Sequence, residues 1–147
     1  MVVVPVLMLA LGTPAVAQAR IILNRGVEPA RIGMTSKQVR AKLGAPDVLE
    51  RSGTTMSLVY RSRKLVVTIV RGRVQIISTR SRRERTVTGV GPGSTLQAVR
   101  RKVRGARCGS KAGVYVCKLG SSRKGRRSTV FLITGGVVDT VSVALAP

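Results

Sequence analysis

The sequence predicts an α+β protein built from two tandem units, each a short helix packed on a small antiparallel sheet of three to four strands. Valine is the most conspicuous apolar residue, and its branched side chain suits a strand better than a helix. A pattern typical of a helix start occurs twice, and strand-like alternation follows both copies. The 147 residues are enough for one compact domain or for two small units that share a core.

One segment of the sequence occurs in two similar copies, sixty positions apart. The first copy, residues 33–43, reads GMTSKQVRAKL, and the second, residues 93–103, reads GSTLQAVRRKV. Self-similarity of this length indicates duplication of one supersecondary unit. The predicted units are residues 18–84 and residues 85–147, and residues 80–85 are expected to connect them.

Each copy begins with residues that cap a helix. Thr35 is expected to accept a hydrogen bond from the first turn while the Gln38 side chain reaches back, which is a capping box. Apolar residues then recur four positions apart on one helix face. These pairs are Val39 with Leu43 and Val99 with Val103. Gly44 is expected to end the first helix and Gly105 the second. Because helices of about ten residues are marginal alone, both are expected to lie on a sheet.

Strand patterns follow both helices. In the first unit, strands are predicted over residues 56–61, 65–70 and 74–79, with Arg71-Gly72-Arg73 as a tight hairpin turn. In the second unit, strands are predicted over residues 128–134 and 137–145, and Gly135-Gly136 joins them. Residues 121–127 are expected to form a longer polar loop.

The N-terminal residues 1–17 are predicted to be a secretory signal peptide. Residues 2–11 are almost wholly apolar, and the small residues Ala15 and Ala17 predict cleavage near Ala17, before Gln18. No Lys or Arg precedes the apolar run, so a true start upstream of Met1 is an open alternative. Two further alternatives are a buried N-terminal strand and a membrane anchor. The apolar run is short for an anchor, because a membrane-spanning helix needs about 20 residues. The protein is therefore expected to be secreted or extracytoplasmic.

The two cysteines predict one internal disulfide. Cys108 and Cys117 lie nine positions apart, with turn-forming residues between them, so a short hairpin would bring their sulfurs together. An exported chain meets oxidising conditions. Two buried thiols are the alternative, and a metal site is disfavoured because the chain has no His and no other Cys.

The net charge of +22 arises from 27 Lys and Arg against five carboxylates. Twelve basic residues in three runs are candidates for binding a polyanion: Arg80, Arg82, Arg83, Arg85, Arg100, Arg101, Lys102, Arg104, Arg123, Lys124, Arg126 and Arg127. The alternative is that these runs are solvated loops and a polar helix face. For an exported protein, the available polyanions are anionic lipid headgroups, acidic wall polymers and extracellular nucleic acid. Sequence-specific nucleic-acid recognition is not expected, because the chain has three aromatic residues.

Catalytic chemistry is not expected from this composition. There is no His to act as a general base, and no recognisable motif activates a Ser, Thr or Lys. The five carboxylates are scattered along the chain without an acid–base pair: Glu28, Asp47, Glu50, Glu84 and Asp139. We therefore predict no catalytic residue, no cofactor, no metal and no small-molecule substrate, and an enzyme of unknown type is a distant third hypothesis.

One motif resembles a known family. The run from Gly33-Met34-Thr35 through Leu43-Gly44-Ala45-Pro46-Asp47 is similar to the helix motif of SmpA/OmlA-type (BamE-like) envelope proteins. The tandem pair of helix-plus-sheet units is similar in architecture to the β-lactamase inhibitory proteins. This resemblance implies a small α+β module, at or outside the membrane, that mediates protein–protein contact.

The expected function is therefore that of a secreted or cell-envelope binding module without catalytic activity. Its partner is expected to be a protein or an anionic envelope component such as a membrane surface. The alternative is a sequence-independent polyanion binder in which the Arg clusters supply the affinity and the fold displays them.

Overall fold

The computed structural model describes residues 20–147, so the predicted signal peptide and its cleavage near Ala17 lie outside the described residues. This part of the chain forms two short helices and eleven strands. The helices are α1 (Ser36–Leu43) and α2 (Leu96–Lys102). The strands are β1 (Ile21–Ile22), β2 (Gly26–Val27), β3 (Ala30–Arg31), β4 (Val48–Ser52), β5 (Thr55–Tyr60), β6 (Leu65–Val70), β7 (Arg73–Thr79), β8 (Arg107–Lys111), β9 (Val114–Gly120), β10 (Arg127–Thr134) and β11 (Val137–Leu145).

The main sheet has eight strands in the order β4-β5-β6-β7-β11-β10-β9-β8. The first meander, β4 to β7, follows α1, and the second meander, β8 to β11, follows α2. The two meanders join through the antiparallel pair β7–β11, in which Val141 lies opposite Thr79 and Ala144 opposite Ile76. Among the described strands, β4 and β8 are the two edges of this sheet. A second sheet of three two-residue strands, β1-β2-β3, contacts β7 and β11.

The described residues share one hydrophobic core on one face of the main sheet. Alternate residues of the strands point into it, as Leu65, Val67 and Ile69 do on β6. Each helix contributes one fully buried valine, Val39 from α1 and Val99 from α2. The small sheet and the segment before α2 complete this layer with aliphatic side chains. The core therefore extends across both meanders without a break.

The predicted fold class is wrong. Residues 20–147 are mostly β, with an eight-stranded and a three-stranded sheet and two helices of eight and seven residues, rather than two helix-on-sheet units. The physical reason is the pairing of β7 with β11. Without it, each of these strands would be a sheet edge with unpaired backbone groups. Periodicity along the chain does not reveal which strand edges will pair, so this joining was not foreseen.

The predicted hairpin turns are confirmed. The β6–β7 turn consists of Arg71 and Gly72, which have φ of 50° and 79°. The β10–β11 turn consists of Gly135 and Gly136, with φ of 58° and 78°. Two successive positive φ angles are what a two-residue type I′ hairpin requires.

The capping box of α1 is also confirmed. The Gln38 backbone N–H donates to Thr35 Oγ1 at 3.2 Å, and the Thr35 backbone N–H donates to Gln38 Oε1 at 2.9 Å. Gly44 ends α1 as expected, whereas α2 ends at Lys102, before the predicted stop at Gly105. The segments that lead into the helices are held by the sheet in the same way. Gly33 and Met34 bond to Val74, and Gly93 and Ser94 bond to Val138.

Candidate functional site: a basic cleft beside the junction of the two meanders

A cleft of about 750 Å³ opens at the end of the sheet where β7 stops and β11 begins. Its walls come from the β5–β6 turn, the segment after β7, the turn before α2 and the β10–β11 hairpin. The lining therefore combines residues of both meanders. A cleft of this size falls within the range of pockets that bind small ligands, about 300–1,000 Å³. We call it the basic cleft, after the four cationic side chains among its lining residues: Arg61, Lys64, Arg80 and Arg82.

The backbone of the β5–β6 turn places two of these cations beside a third. Lys64 has a φ of 50°, and its backbone N–H donates to the Arg61 carbonyl at 3.0 Å, which closes the turn. The Lys64 carbonyl accepts a hydrogen bond from the Arg80 backbone N–H at 3.0 Å. The Arg61 backbone N–H donates to Asp47 Oδ2, which anchors the turn to the start of β4. All four cationic residues are exposed, so their head groups are available to solvent or ligand.

Asp139 is the one carboxylate among the residues that line the basic cleft. It lies in a β-bulge, because Leu132 pairs with Thr140 while Ile133 pairs with Val138. Its Oδ1 accepts from the Arg80 guanidinium at 2.8 Å, and its Oδ2 accepts from the Thr140 hydroxyl at 2.7 Å. The hydrogen bond from Thr140 and that from Arg80 lower the pKa of Asp139. Arg80 is thus neutralised from within the cleft, whereas the other three cations have no ion pair among the described residues.

The basic cleft also presents apolar surface. Val137, at the start of β11, is 39% exposed. Val59 and Val66 lie opposite each other on β5 and β6 and are half-buried. Beneath them, Leu65 and Val138 are buried and belong to the core. A ligand in this cleft therefore meets aliphatic groups beside the cations.

The twelve basic residues predicted from the sequence do not converge on one surface. Arg80 and Arg82 line the basic cleft, and Arg83 is exposed on the same connecting segment. Arg85 instead donates to Ser94 Oγ at 2.8 Å, which ties the connector to the turn before α2. Arg61 and Lys64 are the cleft residues that the sequence reasoning missed. Both lie in the basic run Arg61-Ser62-Arg63-Lys64, which resembles the predicted run at residues 80–83 and could have found them.

The basic residues of α2, with Arg104 just beyond its end, form a separate exposed surface. Arg100 donates to the Tyr115 hydroxyl at 2.6 Å, so its head group is already engaged. Arg101, Lys102 and Arg104 are exposed, and none of them lines the basic cleft.

The third predicted run lies at the opposite end of the sheet, in the loop between β9 and β10. Arg123, Arg126 and Arg127 line a shallow depression of about 610 Å³ together with Asn24 and Ser121. We call this depression the loop groove. Lys124 is exposed in the same loop. The structure therefore separates the predicted cations into three places, of which the basic cleft is the largest concave one.

Glu84 belongs to the connector, yet it is buried, with 3% of the residue exposed. Its Oε2 has no hydrogen-bond partner within residues 20–147, and desolvation raises the pKa of the carboxyl group. A hydrogen bond with the Thr79 hydroxyl and the charge of Arg63 oppose this rise. The adjacent Gly91 is closely packed, since a Cβ at that position would lie 2.2 Å from the Glu84 carbonyl oxygen.

The predicted disulfide is confirmed. Cys108 on β8 and Cys117 on β9 lie directly opposite each other in the sheet and are bonded. Within residues 20–147, no three His, Cys, Asp or Glu side chains are grouped as metal ligands would be. Neither helix of this part of the chain has the length and apolar character needed to cross a membrane.

No protein-family model and no curated protein matches the sequence. Two solved structures are similar to the chain. An extracellular protein containing an SCP domain, from Bacillus anthracis str. Ames, has a TM-score of 0.54 and 12% identity over 78% of this chain. The chain spans 44% of that protein's length. A DUF4309 family protein from Bacillus subtilis has a TM-score of 0.50 and 14% identity, covering 81% of this chain and 84% of its own.

The likeness to these structures extends to the fold alone. Neither is described as a BamE-like protein or as a β-lactamase inhibitor. The resemblance of the segment around Thr35 to SmpA/OmlA-type proteins therefore stays a prediction.

Proposed function

We propose that this protein is a non-catalytic binding module that acts outside the cytoplasm and captures an anionic component of the cell envelope in the basic cleft. The observation that carries the proposal is the convergence of four cations from two separate segments on one concave surface, where the single carboxylate, Asp139, pairs with one of them. Arginine and lysine head groups are the usual partners of phosphate and carboxylate ligands.

Two observations support the extracytoplasmic location. Disulfides persist in oxidising compartments and are rare in the cytosol, and this chain bonds both of its cysteines. One of the structures with a similar fold is an extracellular protein. The predicted signal peptide over residues 1–17 agrees with this location.

The competing function is that of a sequence-independent polyanion binder that uses its whole surface. The separation of the basic residues into the basic cleft, α2 and the loop groove favours this second function, because each place would attract a polyanion by charge alone. The two functions differ in whether binding affinity depends on where a cation lies or only on the total positive charge.

Two triple variants with the same loss of charge separate these functions. The cleft variant is Arg61→Gln with Lys64→Gln and Arg82→Gln. The matched control, at the end of α2 and in the turn that follows it, is Arg101→Gln with Lys102→Gln and Arg104→Gln. Both variants lose two Arg and one Lys, and all six residues are exposed. Binding of the mature protein to acidic wall polymers and to anionic lipid vesicles is measured at low salt and at roughly 0.5 M salt, where screening extends only a few ångströms.

A binding site in the cleft predicts that the cleft variant loses most of its binding at both salt concentrations while the α2 variant retains it. Equal losses in both variants, with all binding abolished at high salt, would contradict the cleft proposal and support the polyanion alternative. Retention of the native circular dichroism spectrum and melting temperature confirms that each variant is folded.

A further inference from the structure

We infer that the ligand of the basic cleft is an anionic amphiphile, in which a phosphate or carboxylate head is joined directly to an apolar body. This inference rests on the proposed function and specifies its ligand. The feature that carries it is the mixture of exposed cations and exposed aliphatic side chains in one cleft.

Val137 is the clearest of these aliphatic residues. It is 39% exposed and starts β11 immediately after the two-glycine turn. Arg80 and Arg82 from the connector line the same cleft. An exposed valine beside cations gains nothing from binding a purely hydrophilic ion, whereas an apolar ligand body would remove it from water.

The wall provided by β5 and β6 extends this apolar surface. Val59 and Val66 face each other across these two strands at the cleft, and both retain partial exposure. In the β5–β6 turn, Arg61 comes two residues after Val59, and Lys64 comes two residues before Val66. The anionic head is thus expected to lie at the turn, and the apolar body along the two valines toward Val137.

The loop groove provides an internal comparison. Its lining within the described residues consists of Asn24, Gly120, Ser121, Gly125 and three arginines, without an aliphatic side chain. A phosphate that is attracted by charge alone would bind there as readily as in the basic cleft. Selective binding in the basic cleft therefore depends on the apolar part of the ligand.

The ion pair between Arg80 and Asp139 is consistent with a ligand of low charge. Asp139 already accepts hydrogen bonds from Arg80 and from the Thr140 hydroxyl, so one of the four cations is compensated. A densely charged polymer would gain from four free cations. A single head group requires only the three that remain, Arg61, Lys64 and Arg82.

The experiment compares octyl phosphate, kept below its micelle concentration, with inorganic phosphate and with neutral octyl glucoside. Binding to the mature, disulfide-bonded protein is measured by isothermal titration calorimetry, and the contacted residues are mapped by amide chemical shifts. We expect octyl phosphate to bind at least roughly tenfold more tightly than either of the other probes, because it alone supplies both the charge and the apolar area.

Two matched pairs of variants test the site. Val137→Ser in the cleft is compared with Val114→Ser, another exposed valine that follows a hairpin turn and does not line the cleft. Arg82→Gln is compared with Arg101→Gln on α2. We expect each cleft variant to weaken octyl phosphate binding roughly fivefold or more. Each control is expected to bind as the unmodified protein does.

Three outcomes are distinguishable. Tight octyl phosphate binding that depends on both Val137 and Arg82 supports the inference. Inorganic phosphate binding in the cleft as tightly as octyl phosphate, with no effect of Val137→Ser, overturns the inference and leaves the proposed function standing. Binding of every anion without dependence on Arg82 overturns both.

A second arm identifies the source of the head group. Vesicles of anionic phospholipid and the free octyl phosphate are offered to the same variants. Vesicle binding that requires Val137 and Arg82 assigns the amphiphile to a membrane surface. Binding of the free amphiphile with no such vesicle binding assigns it to a diffusible or wall-linked molecule, and both results uphold the chemistry inferred for the cleft.

Discussion

Glu84 is a buried carboxylate in a strongly basic protein that has many cations to pair it with. Its side chain lies against the Thr79 hydroxyl, and the charge of Arg63 acts on it from the β5–β6 turn. One of its oxygens has no hydrogen-bond partner in the part of the chain that the structure describes. Burial of an ionised carboxylate without full hydrogen bonding costs free energy. Because burial raises the pKa of Glu84, the folded state binds its proton more tightly than the unfolded state does.

Stability should therefore fall as pH rises through the pKa of Glu84 in the unfolded chain and then in the folded chain. We expect Glu84→Gln to raise the free energy of unfolding at pH 7 by about 1 kcal/mol or more, and to have a smaller effect near pH 4. The measurement is chemical denaturation at both pH values. Glu50→Gln is the control, since Glu50 is exposed on β4. A variant that is less stable than the unmodified protein at pH 7, with the same difference at pH 4, would contradict this account.

The ion pair between Asp139 and Arg80 leads to a second prediction, about ligand affinity. Asp139→Asn removes the charge that competes with a ligand for Arg80. We expect the affinity of the basic cleft for an anionic ligand at low salt to rise by up to about fivefold, since exposed ion pairs contribute at most about 1 kcal/mol. Titration of octyl phosphate into both proteins measures it, with Glu50→Gln as a control for the same change in net charge. An unchanged or lower affinity in Asp139→Asn would show that Arg80 takes no part in binding.

Among the elements, β8 depends most clearly on covalent support. It is a five-residue edge strand whose hydrogen-bonded neighbour is β9, and the disulfide joins the two at directly opposed residues. Cys117 is fully buried, whereas Cys108 is half-buried at the margin of the core. The bond therefore connects an exposed edge to the interior of the sheet.

Replacing both cysteines with alanine should destabilise the protein by about 2–3 kcal/mol, the value expected for a loop of this length. The rest of the sheet does not depend on the bond, so the variant should remain folded. Hydrogen exchange measures this, and the faster exchange is expected to be confined to β8, β9 and the turn between them. Unfolding of the whole chain at room temperature would show that the disulfide supports more than this edge.

The same elements show what the amino-acid sequence can and cannot reveal. Local chemistry predicted the hairpins at Gly72 and Gly136, the cap at Thr35 and the disulfide, because each depends on residues close together in the chain. The pairing of β7 with β11 joins segments about sixty residues apart, and neither strand carries a sign of its partner. The basic cleft was missed for the same reason, since Arg61 and Arg80 meet only after β5, β6 and β7 have folded.

At the scale of the whole molecule, the eight-stranded sheet and the shared core replace two independent units. Ile77 on β7 and Val141 on β11 are both fully buried beside the junction. Whether the two meanders descend from one duplicated unit, with boundaries at residues 18–84 and 85–147, stays a prediction. Their energetic coupling does not depend on that history, because the buried residues of both meanders belong to one core.

We therefore expect the protein to unfold in a single cooperative transition. Val141→Ala should lower the stability of both meanders together, by about 1–3 kcal/mol for a buried side chain of this size. Thermal and denaturant unfolding, followed through Tyr60 in the first meander and Tyr115 in the second, measure the effect. Two separate transitions, with only one of them shifted by Val141→Ala, would contradict a shared core.

The outer strands of the sheet have a consequence for the protein in concentrated solution. Glu50 and Arg51 on β4, and Arg107 and Lys111 on β8, place exposed charges along the two open rows of backbone donors and acceptors. Short edge strands that carry charged side chains disfavour pairing with the edge strand of a second molecule. The chain can therefore accumulate as separate molecules, and its tendency to form fibrils should rise when these four charges are removed.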